Sequence, residues 1–150
     1  MVVPRAMLSV VALAAVAGCA VGSSSTRADD AQALTDPLEQ TSSAVATAEM
    51  TVDLLGAGRL SRAVADTALL DQNAVLEDAA FAVSTLVPTD ATSAGWQDDA
   101  LAAVRQAQAA VVGARAWTND AGAGEDAVSA ALASSADRLD ELTAQLAVVP

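Results

Sequence analysis

This sequence predicts an all-α chain folded as an antiparallel up-and-down four-helix bundle, and three observations carry that prediction. Alanine supplies 39 of the 150 residues, while Phe and Tyr together supply one; Ala has the best intrinsic helix propensity, and strands draw on the aromatic residues that are scarce here. Apolar residues recur at three- and four-residue spacing in four stretches of the chain's later part. Short runs rich in Gly, Pro, Asp and Thr separate those stretches, and short connections force successive helices to run in opposite directions.

The first stretch opens at Asp36, a good N-cap, with Pro37 suited to the first helical position and Glu39 placed to close a capping box. Its apolar stripe is Leu38, Val45, Ala48, Val52 and Leu55, and Gly56-Ala57-Gly58 ends it. A single long kinked rod through that turn is the alternative, opposed by a cost of about 1 kcal/mol for each interior glycine. The second stretch runs from Ser61 to Val87 with Leu69, Leu76, Ala80, Val83 and Val87 on one face, and Pro88 blocks its continuation. Pro88 to Gly95 reads as a loop, Trp96 to Trp117 as the third helix, and Thr118 to Gly124 as the next connection. In the fourth helix Val128, Leu132, Leu139, Leu142 and Leu146 share one face. The bundle domain is expected over 36–148.

Each stripe carries one polar residue: Thr41, Asn73, Gln108 and Ser135. Two readings stand side by side, a hydrogen-bonded layer that sets helix register or residues that merely flank the seam and touch water. Trp96 and Trp117 lie 21 residues apart, about 31 Å along a helix. They belong to opposite ends of the bundle, either capping its core or offering an exposed anchor to a partner.

The N-terminus has a different grammar. Arg5 precedes the 12-residue apolar run Ala6 to Ala17, which is too short to span a bilayer, and the only cysteine follows at Cys19. Val16-Ala17-Gly18-Cys19 resembles the lipobox of bacterial lipoproteins. That resemblance implies that residues 1–18 are a signal peptide cut before Cys19, that the Cys19 thiol carries diacylglycerol, and that the mature chain is held on the extracytoplasmic side of the cell membrane by fatty acids such as palmitate. It covers four residues. More broadly the chain resembles small alanine-rich lipoproteins of high-GC Gram-positive bacteria, a likeness of overall character that extends to location and fold type only. Two acyl chains anchor stably where one holds only marginally, and a thioether spares an exported lone thiol from oxidation. Residues 19–35 then read as the lipidated cysteine and a flexible linker, with room for an extra helical turn over Ala28 to Leu34. A coil of that length would reach on the order of 20–24 Å.

Charge and composition narrow the functions. The formal net charge is −12; without Arg5, six arginines face 19 acidic residues, giving −13. Nucleic acid is disfavoured by that sign, and anionic headgroups repel the folded part. The chain has no histidine and no lysine, which removes the usual general base, the Schiff-base and P-loop lysine, and any Cys/His zinc site. No catalytic residue, metal site or cofactor is expected. The acidic doublets Asp29-Asp30, Glu77-Asp78, Asp98-Asp99, Glu125-Asp126 and Asp140-Glu141 are read as solvated faces or helix starts, because adjacent helical residues point about 100° apart and do not converge on one ion. Two functions remain: a non-enzymatic envelope lipoprotein whose helical surface docks another exported or membrane protein, or a lipoprotein that holds a small ligand or cation between helices.

Overall fold

The computed structural model describes residues 26–149. They form α1 (Arg27–Gly56), α2 (Arg62–Thr85), α3 (Ala91–Thr118) and α4 (Glu125–Leu146), with no strand among the described residues. The helices close a ring, α1 on α2, α2 on α3, α3 on α4 and α4 on α1, and α1 also meets α3 across the middle while α2 and α4 stay apart. Side-chain size explains this diamond. The buried face of α3 is Ala100, Ala103, Ala107, Ala110 and Ala114 with Val104 and Val111, and α1 presents Ala44, Val45, Ala48 and Val52. Small side chains let those two axes approach closely. Leu69 and Leu76 of α2 and Leu132, Leu139 and Leu142 of α4, all fully buried, fill the longer diagonal.

The expected helix order and antiparallel course hold, and the glycine turn separates α1 from α2. The α1 helix ends at Gly56, and Gly58 adopts a φ of 67°, a left-handed position that glycine takes without strain. Three boundaries differ from the sequence expectation. The first helix begins at Arg27 instead of Asp36, so residues 27–35 are helix and not linker, and the domain starts ahead of residue 36. Thr26 is the true N-cap: its hydroxyl accepts from the Asp29 N–H at 3.2 Å, and the Asp29 carboxylate accepts from the Thr26 N–H at 2.7 Å. Pro37 therefore lies inside α1 and leaves the Ala33 carbonyl without its usual donor. An interior proline costs about 3 kcal/mol. Full burial of Leu34 returns about 1.5–3 kcal/mol, and Ala31, the buried Pro37 ring and the contacts described below add to it.

The third helix begins at Ala91, five residues before Trp96, because Asp90 caps it by accepting from the Ser93 N–H at 2.8 Å. Gly95 is simply carried within the helix. At the end of α2 the helix stops at Thr85, so Val87 leaves the core stripe and is 86% exposed. Ala79 takes the buried position expected of Ala80. All five apolar positions expected in α4 are buried.

The four polar stripe residues do not form a layer. Thr41 and Ser135 are buried, but their hydroxyls donate within their own helices, to the Pro37 carbonyl at 2.7 Å and the Ala131 carbonyl at 2.9 Å. Asn73 is half-exposed and donates to Glu77 Oε1 at 2.7 Å, and Gln108 is half-exposed on α3. The largest fully buried side chains of the seam are leucines.

Two substitutions check this packing by thermal or urea unfolding. Asn73→Leu is expected to change stability by no more than about 0.5 kcal/mol, as for a surface site, with near-ultraviolet dichroism unchanged. Gly113→Ala is expected to gain about 0.5–1 kcal/mol, because a Cβ at Gly113, inside α3, meets nothing within 4 Å.

Candidate functional site

Both ends of the bundle carry polar chemistry. At the proximal end, where α1 begins, the first turn of α1 is joined to the connection between α2 and α3, residues 86–90. Arg27 donates to Asp90 Oδ2 from Nη2 at 2.5 Å and from Nε at 3.0 Å. One turn of chain further, Asp30 Oδ2 accepts from the Thr89 N–H at 2.9 Å and from its hydroxyl at 2.5 Å. Asp90 thus serves two helices, pairing with α1 while capping α3. Gln97 of α3 closes the end of α2 by donating to the Val83 carbonyl at 2.8 Å and the Leu86 carbonyl at 2.9 Å, which satisfies acceptors that a helix terminus leaves open.

Beneath this clasp is a cavity of about 40 Å³ lined by Asp30, Leu34, Leu86, Pro88, Ser93 and Gln97. The Ser93 hydroxyl is buried and has no bonded partner. A space of this size takes a water molecule or two and no metabolite. Hydrogen bonds from Thr89, side chain first and then backbone, hold the Asp30 carboxyl below its ordinary value. Asp90 is lowered chiefly by the Ser93 N–H and then by Arg27, and Asp29 by the Thr26 backbone and hydroxyl.

At the distal end Arg62 pairs with Asp120, whose φ of 56° places it in the left-handed region, and Arg62 also reaches the Thr118 carbonyl at 3.4 Å. Nearby, Arg115 Nε donates to Asp66 Oδ1 at 2.8 Å and joins α3 to α2. A surface hollow of about 250 Å³ opens between Leu55, Gly56, Arg62, Trp117, Thr118 and Glu125. The Glu125 carboxylate lies over Gly56, where any Cβ would collide with it. Sequence reasoning did not bring Trp117, Arg62 and Glu125 together. Their separations in the chain carry no periodic signal; only the antiparallel course of α1, α2, α3 and α4 assembles them.

Cys19, the one site residue expected from sequence, lies outside the described residues. The two tryptophans are half-buried against the core, one near each end of α3, as the core-capping reading has it. The acidic doublets serve structural ends: Asp29 and Asp30 secure the start of α1, Glu77 accepts from Asn73, and Asp99 and Glu141 pair with Arg138 at 3.4 and 3.0 Å. Among the described residues no three Asp, Glu, His or Cys side chains converge as metal ligands, and no helix is long and apolar enough to cross a membrane. No known protein family, curated protein or solved structure matches the chain.

The clasp has a pH dependence of definite sign. Carboxyls lowered in the folded state stabilise it above their ordinary value near 3.8, and that contribution is lost as pH falls through the lowered values. Acid also relieves repulsion across a chain of net charge −12, so the local readout is the informative one. Hydrogen exchange is expected to show protection of the first α1 turn and of the Thr89 N–H unchanged from pH 7 to 5 and falling below about pH 4. Asp30→Asn is expected to weaken the same amides at neutral pH.

Proposed function

We propose that this chain is a lipid-anchored module of the bacterial cell envelope, with Cys19 as the lipidated residue and the helical bundle displayed on the outer face of the cytoplasmic membrane to dock another exported or membrane protein. The observation that carries this reading is the placement of the lone cysteine. It closes Val16-Ala17-Gly18-Cys19 behind a basic residue and a 12-residue apolar run, and the bundle's first cap, Thr26, follows only seven residues later. A bundle whose own surface is strongly acidic gains membrane residence from two acyl chains and from little else. The absence of histidine and lysine from the chain supports a non-enzymatic role, because the common acid, base and Schiff-base chemistries have no residue to use.

The distal hollow supports a second reading, a lipoprotein that binds a small ligand or cation. Its lining includes Trp117 and the Glu125 carboxylate, which suit an organic cation, and the Arg62 in the same lining is paired with Asp120. A thermal-shift screen separates the two: a shift produced by one class of cation, and abolished by Glu125→Gln, would favour the second reading.

Mass analysis of the N-terminal peptide tests the anchor. Expression in a lipoprotein-processing bacterium is expected to yield a chain that begins at Cys19, carries a diacylglyceryl thioether and sediments with membranes. Cys19→Ser is expected to prevent both cleavage and modification. An unmodified thiol at Cys19 in the mature chain would overturn the proposal.

A further inference from the structure

We infer that the proximal end of the bundle rests directly on the lipid surface, with Val87 and Val148 as its contact residues; this builds on the reading of Cys19 as the anchor. The two most exposed large apolar side chains of the described residues are Val87, 86% exposed, and Val148, 79% exposed. Both lie at the proximal end, one in the connection after α2 and the other just beyond α4. The antiparallel course puts the start of α1, the end of α2 and the end of α4 at this same end, and α1 packs on both α2 and α4. The chain leading from Cys19 therefore joins the bundle at the end that carries both valines.

Covalent geometry brings that face to the membrane. Seven residues separate Cys19 from the helix, and at 3.3–3.6 Å per residue they cannot span more than about 25 Å whatever their conformation. The opposite end of the bundle lies further away by the 28-residue length of α3, about 42 Å. A lipid on Cys19 thus makes the encounter of the proximal face with the bilayer intramolecular, which raises its effective concentration. The clasp makes the face rigid: Arg27 to Asp90 and Asp30 to Thr89 tie the start of α1 to the connection that carries Val87. Three carboxylates of this end are hydrogen-bonded, Asp29 in the cap, Asp30 on Thr89, and Asp90 between Arg27 and the Ser93 N–H, with Asp90 alone paired with a cation. Phe81, 69% exposed, stands five residues before Leu86, about 7.5 Å up the axis, within the 5–10 Å depth typical of apolar contacts at the headgroup boundary.

The two tryptophans make the test, since Trp96 lies near the proximal end of α3 and Trp117 near the distal end. The lipidated full chain, with its N-terminal modification established by mass, is reconstituted in phosphatidylcholine vesicles containing a headgroup spin-labelled lipid. Trp117→Phe and Trp96→Phe variants report each ring separately. Trp96 is expected to be quenched about threefold or more relative to Trp117, as for a ring held near the headgroup layer. The double substitution Val87→Asp with Val148→Asp, at exposed sites that leave helicity unchanged, is expected to remove that difference. Equal quenching of the two rings in the lipidated chain, or a difference that survives the double substitution, would overturn this inference and leave the anchor intact. A chain lacking the lipid on Cys19 would overturn both.

Discussion

Alanine in the core sets the terms for everything else in this molecule. An alanine side chain removes little apolar area from water, and at about 25 cal/mol per Å² a seam of Ala44, Ala48, Ala100, Ala103, Ala107 and Ala110 returns far less per turn than a leucine seam would. Two consequences follow. The helices must be long, 22 to 30 residues, so that many small contributions accumulate. The axes must also approach closely enough for α1 and α3 to touch across the bundle, because a narrow side chain makes contact only at short range. The leucines on the other diagonal then act as the few large knobs that distinguish one register from another.

That constraint explains why α1 does not begin where its strongest start signal lies. Beginning at Asp36 would take Ala31 and Leu34 out of the helix that buries them and leave the Asp90 cap of α3 without Arg27. With so thin a core, the extra two and a half turns matter more than the hydrogen bond that Pro37 withholds. The polar groups at the helix ends follow the same logic. Arg27, Asp30, Asp90 and Gln97 bind ends that apolar packing alone would leave loose, and Arg62, Asp66, Arg115 and Asp120 do so at the other end. These pairs are largely exposed, so each contributes modestly. Their effect is on geometry, since they determine which loop accompanies which helix start.

Geometry at the helix start is where fold and proposed role meet. A longer α1 shortens the chain between Cys19 and the bundle from the 16 residues expected to seven, so the proposed anchor at Cys19 would hold the proximal end close to the lipid. The flanks expose single apolar residues such as Met50, Leu70 and Val112.

Helix number, order and core faces were legible in the chain because a 3.6-residue period and glycine or proline punctuation are local properties. Leu132, Leu139 and Leu142 could be placed without any knowledge of their neighbours. Local grammar put the start at Asp36 with Glu39, and the actual cap, Thr26 with Asp29, has the same three-residue spacing, so spacing alone does not tell which of the two is used. Whether Ala31 and Leu34 have something to pack against is a question about α2 and α3. The polar stripe residues left two readings open for the same reason: a hydroxyl that donates to its own helix four residues back, as those of Thr41 and Ser135 do, looks in sequence the same as one that reaches across a seam, while Asn73 and Gln108 do flank it. By itself the sequence determined periodicity, punctuation, charge and the position of its one thiol. Tertiary structure alone decided where α1 begins, which carboxylates are bound and which valines are left bare, since each depends on long-range packing between helices that no local run of residues encodes.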